Sequence, residues 1–119
     1  MALHTKLPIY KDAYGLFNVA TDYVKNMPRS VKPIIGGHVT RLCLDLVLLI
    51  IRANCARNKV PYLDDLLERK EELDLLFRLC MDKKFISEPQ YARAIQFTAS
   101  VGKQANGWRK HNATTSPVT

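Results

Sequence analysis

From Pro8 to about Lys25 the apolar residues Ile9, Ala13, Leu16, Phe17, Ala20, Tyr23 and Val24 recur at intervals of three and four, the spacing of one buried helical face. Pro28 restricts Met27 and offers no N–H, so this helix is expected to stop there, with Arg29 to Lys32 as a short turn. Pro33 suits the first turn of a second helix running to about Arg57. Projected at about 100° per residue, His38, Arg41, Asp45, Arg52 and Lys59 fall on one narrow polar stripe. Leu42, Cys43, Leu44, Leu46, Val47, Leu48, Leu49, Ile50 and Ile51 cover the remainder. A helix of a monomeric bundle needs an apolar stripe only somewhat wider than 100°. The surplus predicts a subunit interface, for which Leu44 and Leu48, flanking the polar stripe, are the candidates. Gly36-Gly37 near the start of this helix costs about 1 kcal/mol per glycine relative to alanine, and predicts close backbone packing or a kink.

Pro61 restarts the chain. Leu63, Leu66, Leu67, Leu73, Leu76, Phe77 and Cys80 then mark a third amphipathic helix ending near Lys83, with acids in its early turns, where they suit the helix dipole. Ser87-Glu88-Pro89-Gln90 reads as a helix start: a capping hydroxyl, proline in the first turn, and glutamine three residues on to complete a reciprocal capping box. Tyr91, Ala94, Ile95, Thr98, Val101, Gly102, Ala105 and Trp108 form the inward face of the fourth helix, with Trp108 expected to anchor its end in the core. No segment alternates as a strand would. The expected fold is all-α, an antiparallel up-down-up-down four-helix bundle over residues 1–110, followed by a flexible polar tail over 111–119.

At 119 residues the chain fits one domain. Cys43, Cys55 and Cys80 are odd in number, lie in apolar stretches and form no C-x-x-C pair, so they read as buried thiols of a reducing compartment. The start of the chain has no apolar signal core, and the greasy run from Leu42 to Ile51 is about half of the roughly 20 residues a membrane span requires. A cytoplasmic protein with no membrane partner is expected.

Candidate chemistry is sparse. None of His4, His38 and His111 lies three residues after a glutamate, the spacing by which bundle cores hold metals. H-E-x-x-H and P-loop patterns are missing, and no serine or cysteine has the sequence context of a nucleophile. The expectation is a protein without metal, cofactor or catalytic residues that works by binding, with His38 a helix-surface residue.

The net charge of +7 is uneven. Residues 60–83 carry four Lys/Arg against seven Asp/Glu, whereas every other stretch is in positive excess. The third helix thus offers an acidic surface to a basic partner or a neighbouring subunit. The remaining cations could face a phosphate backbone, and Lys11, Lys25, Arg29, Lys32, Arg41, Arg52, Arg93, Lys103, Arg109 and Lys110 are the nucleic-acid-binding candidates. Repeating the patch around a ring of subunits would multiply its field. No base-reading motif accompanies it, so salt-dependent and weakly sequence-specific binding is expected.

Several strings carry a family resemblance. Ile9-Tyr10 through Asn26-Met27-Pro28-Arg29, Arg52-Ala53, and above all Arg78-Leu79-Cys80-Met81-Asp82-Lys83-Lys84-Phe85-Ile86-Ser87, leading through Tyr91 to Val101-Gly102-Lys103 and Gly107-Trp108, resemble the accessory variability determinant (Avd) proteins of diversity-generating retroelements. The resemblance spans roughly residues 6 to 110 and places structural landmarks on Pro28, Asp82, Ser87, Gly102, Gly107 and Trp108. The same pattern resembles the sister group of four-helix bundle proteins encoded in intervening sequences of bacterial large-subunit ribosomal RNA genes. For both groups the resemblance implies a pentameric barrel of four-helix protomers. For the retroelement group it further implies binding to a reverse transcriptase and to template RNA or DNA, with catalysis left to that enzyme. It transfers no catalytic residue.

Overall fold

The computed structural model describes residues 3–115. Four helices form the bundle: α1 (Pro8–Lys25), α2 (Gly37–Cys55), α3 (Val60–Asp82) and α4 (Glu88–Thr115). A single 3₁₀ turn, His4–Lys6, precedes α1, and a π-helical turn, Lys32–Gly36, leads into α2. No strand occurs among the described residues. The starts of α1, α3 and α4 fall within a residue of the expected positions. α4 continues to Thr115, beyond the expected end near Lys110; residues 116–119 of the expected tail lie outside the described part.

Side-chain pairs set the topology. Val24 lies against Gly36, His38 bonds Glu72, Asp45 faces Arg69, Lys70 lies against Gly102, Tyr23 bonds the Gln90 carbonyl, and Asp12 meets Ser100 and Gln104. Late α1 meets the entry to α2 at Val24–Gly36 and the start of α4 at Tyr23–Gln90, and the start of α3 meets late α4 at Asp64–Arg109, so the bundle runs up-down-up-down, as expected. Each helix packs on its two neighbours while the diagonal pairs stay apart. The molecule measures 50 × 23 × 22 Å, a square bundle about one helix-pair thick.

The core follows the apolar spacing. Ile9, Ala13, Leu16, Ala20 and Tyr23 of α1 are buried, as are Leu63, Leu66, Leu73, Phe77 and Cys80 of α3 and Ala94, Thr98, Val101, Gly102 and Ala105 of α4. Small residues bring backbones together: a Cβ at Gly15 would meet the Phe97 ring at 2.8 Å, and one at Gly36 would meet Val24 at 2.6 Å. Gly37 has nothing within 4 Å, so only the first glycine of the pair makes the close approach.

Helix ends are closed by identifiable devices. The capping box forms as read from the sequence: the Gln90 N–H donates to Ser87 Oγ at 3.2 Å and the Ser87 N–H to Gln90 Oε1 at 2.8 Å. At the other side of that connection Lys84 takes a left-handed φ of 63°. The Phe85 N–H bonds the Cys80 carbonyl at 2.8 Å and the Lys84 N–H bonds that of Met81 at 2.9 Å, a Schellman closure in which glycine is the usual occupant. The end of α2 is closed by a cation: Lys59 Nζ donates to the carbonyls of Ala53, Asn54 and Ala56 at 2.9, 3.2 and 2.9 Å. That assigns Lys59, placed on the polar stripe by projection, to the unpaired carbonyls and negative dipole of a helix end.

Three expectations need correction. Cys55 is exposed, because it is the last residue of α2 and lies beyond the cover of neighbouring helices; Cys43 and Cys80 are buried. Trp108 is half-buried, against Leu7, Pro8 and Ile9 with Lys59 Nζ 5.9 Å over its ring, so it pins α4 to the start of α1 at the rim of the core. The helical run Lys32–Cys55 contains an 18-residue stretch long and apolar enough, by length and composition, to cross a membrane, although Leu42–Ile51 alone is too short; 39% of that stretch is buried in the bundle.

Candidate nucleic-acid interface

The ten candidate cations fall at three levels of the bundle. One end carries Lys25, Arg29 and Lys32, from the close of α1 and the α1–α2 connection. The antiparallel topology brings the α3–α4 connection to the same end, with Lys83 and Lys84, which the sequence reading did not select. Asn26 shares one cavity, of about 600 Å³, with Lys84 and Ser87, and Val31 shares another with Lys83. Five cations thus ring this end, all exposed. Among the described residues Arg29 and Lys32 have no ion-pair partner, while Lys25 lies 3.9 Å from Asp22 with both side chains largely in water. Asp82 is engaged by Arg78 at 3.2 Å, which leaves Glu88 as the unpaired acid nearby. The signal that could have found Lys83 and Lys84 is positional: both follow the last turn of α3, whose acids are concentrated in its early turns.

Arg109 and Lys110 lie toward the opposite end, near the start of α3, with Lys6 and Arg57 from the adjoining connections. Arg109 is committed to Asp64, whose hydrogen bond and charge raise the pKa of its guanidinium. A surface pair of this kind adds little stability, and it lowers the charge available to a phosphate.

Between the ends the cations are scattered. Lys11 and Lys103 are exposed and unpaired, at the level where Ser100 Oγ and Gln104 Nε2 both donate to Asp12 Oδ2, at 2.6 and 2.8 Å. Arg93 lies 5.9 Å from the Phe97 ring. Arg41 Nε is 3.1 Å from Asp45, which also draws Arg69 Nε to 3.9 Å. Arg52 lies in the same groove, of about 260 Å³, with Asp65 opposite. The ten candidates therefore do not make one continuous patch in a protomer. The α1–α2/α3–α4 end is their densest cluster, and its cations are the least neutralised.

The buried thiols do not suit catalysis. Burial pushes Cys43 up to about 12 and also raises Cys80, holding both as neutral thiols rather than nucleophilic thiolates. No group of three or more His, Cys, Asp or Glu among the described residues is placed to hold a metal ion.

The model of the bAvd-like family matches residues 7–112, nearly the whole bundle. The chain belongs to the bAvd-like family. No curated protein matches it. Within the bAvd-like match lie all four helices as far as residue 112, the Ser87–Gln90 capping box and the basic end around Arg29, Lys32 and Lys84. Three of the landmark positions have structural duties in this bAvd-like chain. Pro28 ends the α1 turn and accepts from Val31 and Lys32, Ser87 caps α4, and Gly102 makes room for the Lys70 stem. That stem ends in an ammonium 2.9 Å from Asp74; burial lowers its pKa, but Asp74 and Glu71 outweigh burial and the net shift is upward.

Proposed function

We propose that this protein is a non-enzymatic accessory subunit of a diversity-generating retroelement, acting in the cytoplasm, that holds template RNA or DNA through a basic surface and presents it to a reverse transcriptase. The observation that carries the reading is the bAvd-like family match over residues 7–112, the family being one of accessory, non-catalytic proteins. The cation cluster at the α1–α2/α3–α4 end supports a phosphate-binding role. In a homopentamer the cluster would occur five times, and its counterions would be released together on binding, giving a steep salt dependence.

Lys84→Gly is a sharp probe, because it removes a charge while relieving the left-handed φ that lysine tolerates poorly. The triple variant Arg29→Ala/Lys32→Ala/Lys84→Gly should bind template RNA at least about ten-fold more weakly, with a shallower dependence on salt and no loss of thermal stability. Filter binding of the intact protein across a salt series measures this. Unchanged affinity and slope would take this end out of the interface. The runner-up reading, membership of the ribosomal-RNA intervening-sequence group with a structural or regulatory role, predicts RNA binding that vanishes at physiological salt and no reverse transcriptase partner.

A further inference from the structure

α3 presents to solvent a stripe with the spacing of one helical face: Asp65, Glu68, Glu72, Leu75, Leu79 and Asp82, all exposed. Its first half is acidic. Its second half is apolar, with Leu75 60% and Leu79 49% exposed, two of the five large apolar side chains left in water among the described residues. A third, Ile34 at 72%, lies on the neighbouring π-helical turn.

Beside the leucines runs a groove. Leu79 and Leu76 face Val31, Ile35 and Phe85 across a cleft of about 380 Å³. Toward the middle of the helix the same two leucines, with Leu75, line a second cleft of about 180 Å³ that ends at the His38–Glu72 hydrogen bond of 2.9 Å. The two clefts share their lining and form one apolar trough along α3. Its charged borders are His38 and Glu72 below, and Asp82, Arg78 and Lys83 above. The first three of these five, and Arg78, are already paired within the protomer. Farther down, Glu68 makes no ion pair among the described residues, and Asp65 lies opposite Arg52 and Arg69 without pairing closely to either.

We propose that this face docks a basic amphipathic helix of a protein partner, its apolar side in the Leu75–Leu79–Phe85 trough and its cations over Glu68 and Asp65. The acids choose the occupant. A phosphate backbone is repelled by them and gains nothing from leucines, whereas a helix with cations about two turns from its apolar anchors matches both halves of the stripe. From Asp65 to Leu79 the face is about 21 Å long at 1.5 Å per residue, the length of a partner helix of about 14 residues. The protein would then hold nucleic acid at one end and its protein partner along α3. Only the identity of that partner as a reverse transcriptase rests on the function proposed above.

The test uses two synthetic amphipathic helical peptides of about 14 residues, one patterned in Leu and Lys and one in Leu and Glu, titrated against the full chain by fluorescence anisotropy. The Leu/Lys peptide should bind saturably and at least about ten-fold more tightly than the Leu/Glu peptide. Leu75→Asn/Leu79→Asn and, separately, Glu68→Lys should each weaken it by about ten-fold or more, with native mass and RNA affinity unchanged. All the substituted side chains are exposed, so folding is not at stake. Equal binding of both peptides, or full binding by both variants, would overturn the proposal. So would a fall in native mass for Leu75→Asn/Leu79→Asn, which would assign the face to a second copy of the chain. Loss of RNA binding in the unmodified protein would sink the nucleic-acid role and leave the peptide result standing.

Discussion

Single side chains divide into those that close helices and those that are free to meet a partner, and the division is electrostatic. Lys59 and Arg109 look alike in sequence, yet one is spent on three helix-end carbonyls and the other on a carboxylate, whereas Arg29 and Lys32 have no ion-pair partner among the described residues. The buried thiol Cys43 shows how a residue with no chemical duty still shapes behaviour. Its folded-state pKa lies above the unfolded value of 9.0, at about 12, so the folded state keeps its proton longer. The stability tied to that proton is fully present below pH 9.0 and is lost as pH rises toward 12. At pH 10.5 the thiol alone should cost about 2 kcal/mol. Cys80, Tyr23 and Lys70 are shifted upward too and act in the same direction. Urea unfolding at pH 7 and 10.5 should show a clear drop in midpoint, and Cys43→Ala should make the drop smaller; an equal drop in that variant would mean that other groups carry it.

Among the elements, the entry into α2 is where local preference and packing part company. Gly36 and Gly37 both have ordinary right-handed helical dihedrals, so neither is needed for its backbone freedom. Gly36 is there because Val24 of α1 occupies the space a side chain would fill, and a β-branched neighbour gives way poorly. Gly36→Ala should therefore destabilise the protein by about 1–2 kcal/mol through overpacking. Gly37→Ala, facing open space, should stabilise it by about 0.5–1 kcal/mol by lowering the entropy of the unfolded chain. Thermal melts of the two variants should shift in opposite directions. The sequence identified the pair as a place of close packing or a kink; which glycine made the contact depended on where α1 lay.

For the whole molecule, the unspent apolar surface of α2 is the main fact. Leu44, Val47, Leu48 and Ile51 remain only half-buried after α1 and α3 have packed against the helix, and the run from Lys32 to Cys55 is apolar enough to pass for a membrane span. The bundle thus satisfies only part of what the helix offers for burial, and this is the surface on which the proposed association of subunits rests. Leu44→Glu should convert an oligomer to a monomer in light scattering, because position 44 lies outside the arginine-lined groove of Leu48 and a carboxylate enclosed at an interface without a partner costs several kcal/mol. A monomeric mass for the unmodified protein would remove the ring from the proposal.

The sequence by itself determined the four helices, their boundaries to within a few residues at most ends, the buried faces and the Ser87–Gln90 cap. These depend on spacing and on neighbours three or four residues away, which a chain carries in its own order. It also carried the uneven charge, since counting cations and acids along the chain needs no coordinates. Tertiary structure alone decided which cations stand together and which are neutralised. Arg109 meets Asp64 across 45 residues and Lys83 and Lys84 join Arg29 at one end of the bundle through chain reversal, while the cleft at Leu76 and Leu79 takes its other wall from Val31 and Ile35. Such neighbours are distant along the chain, and no local periodicity encodes them.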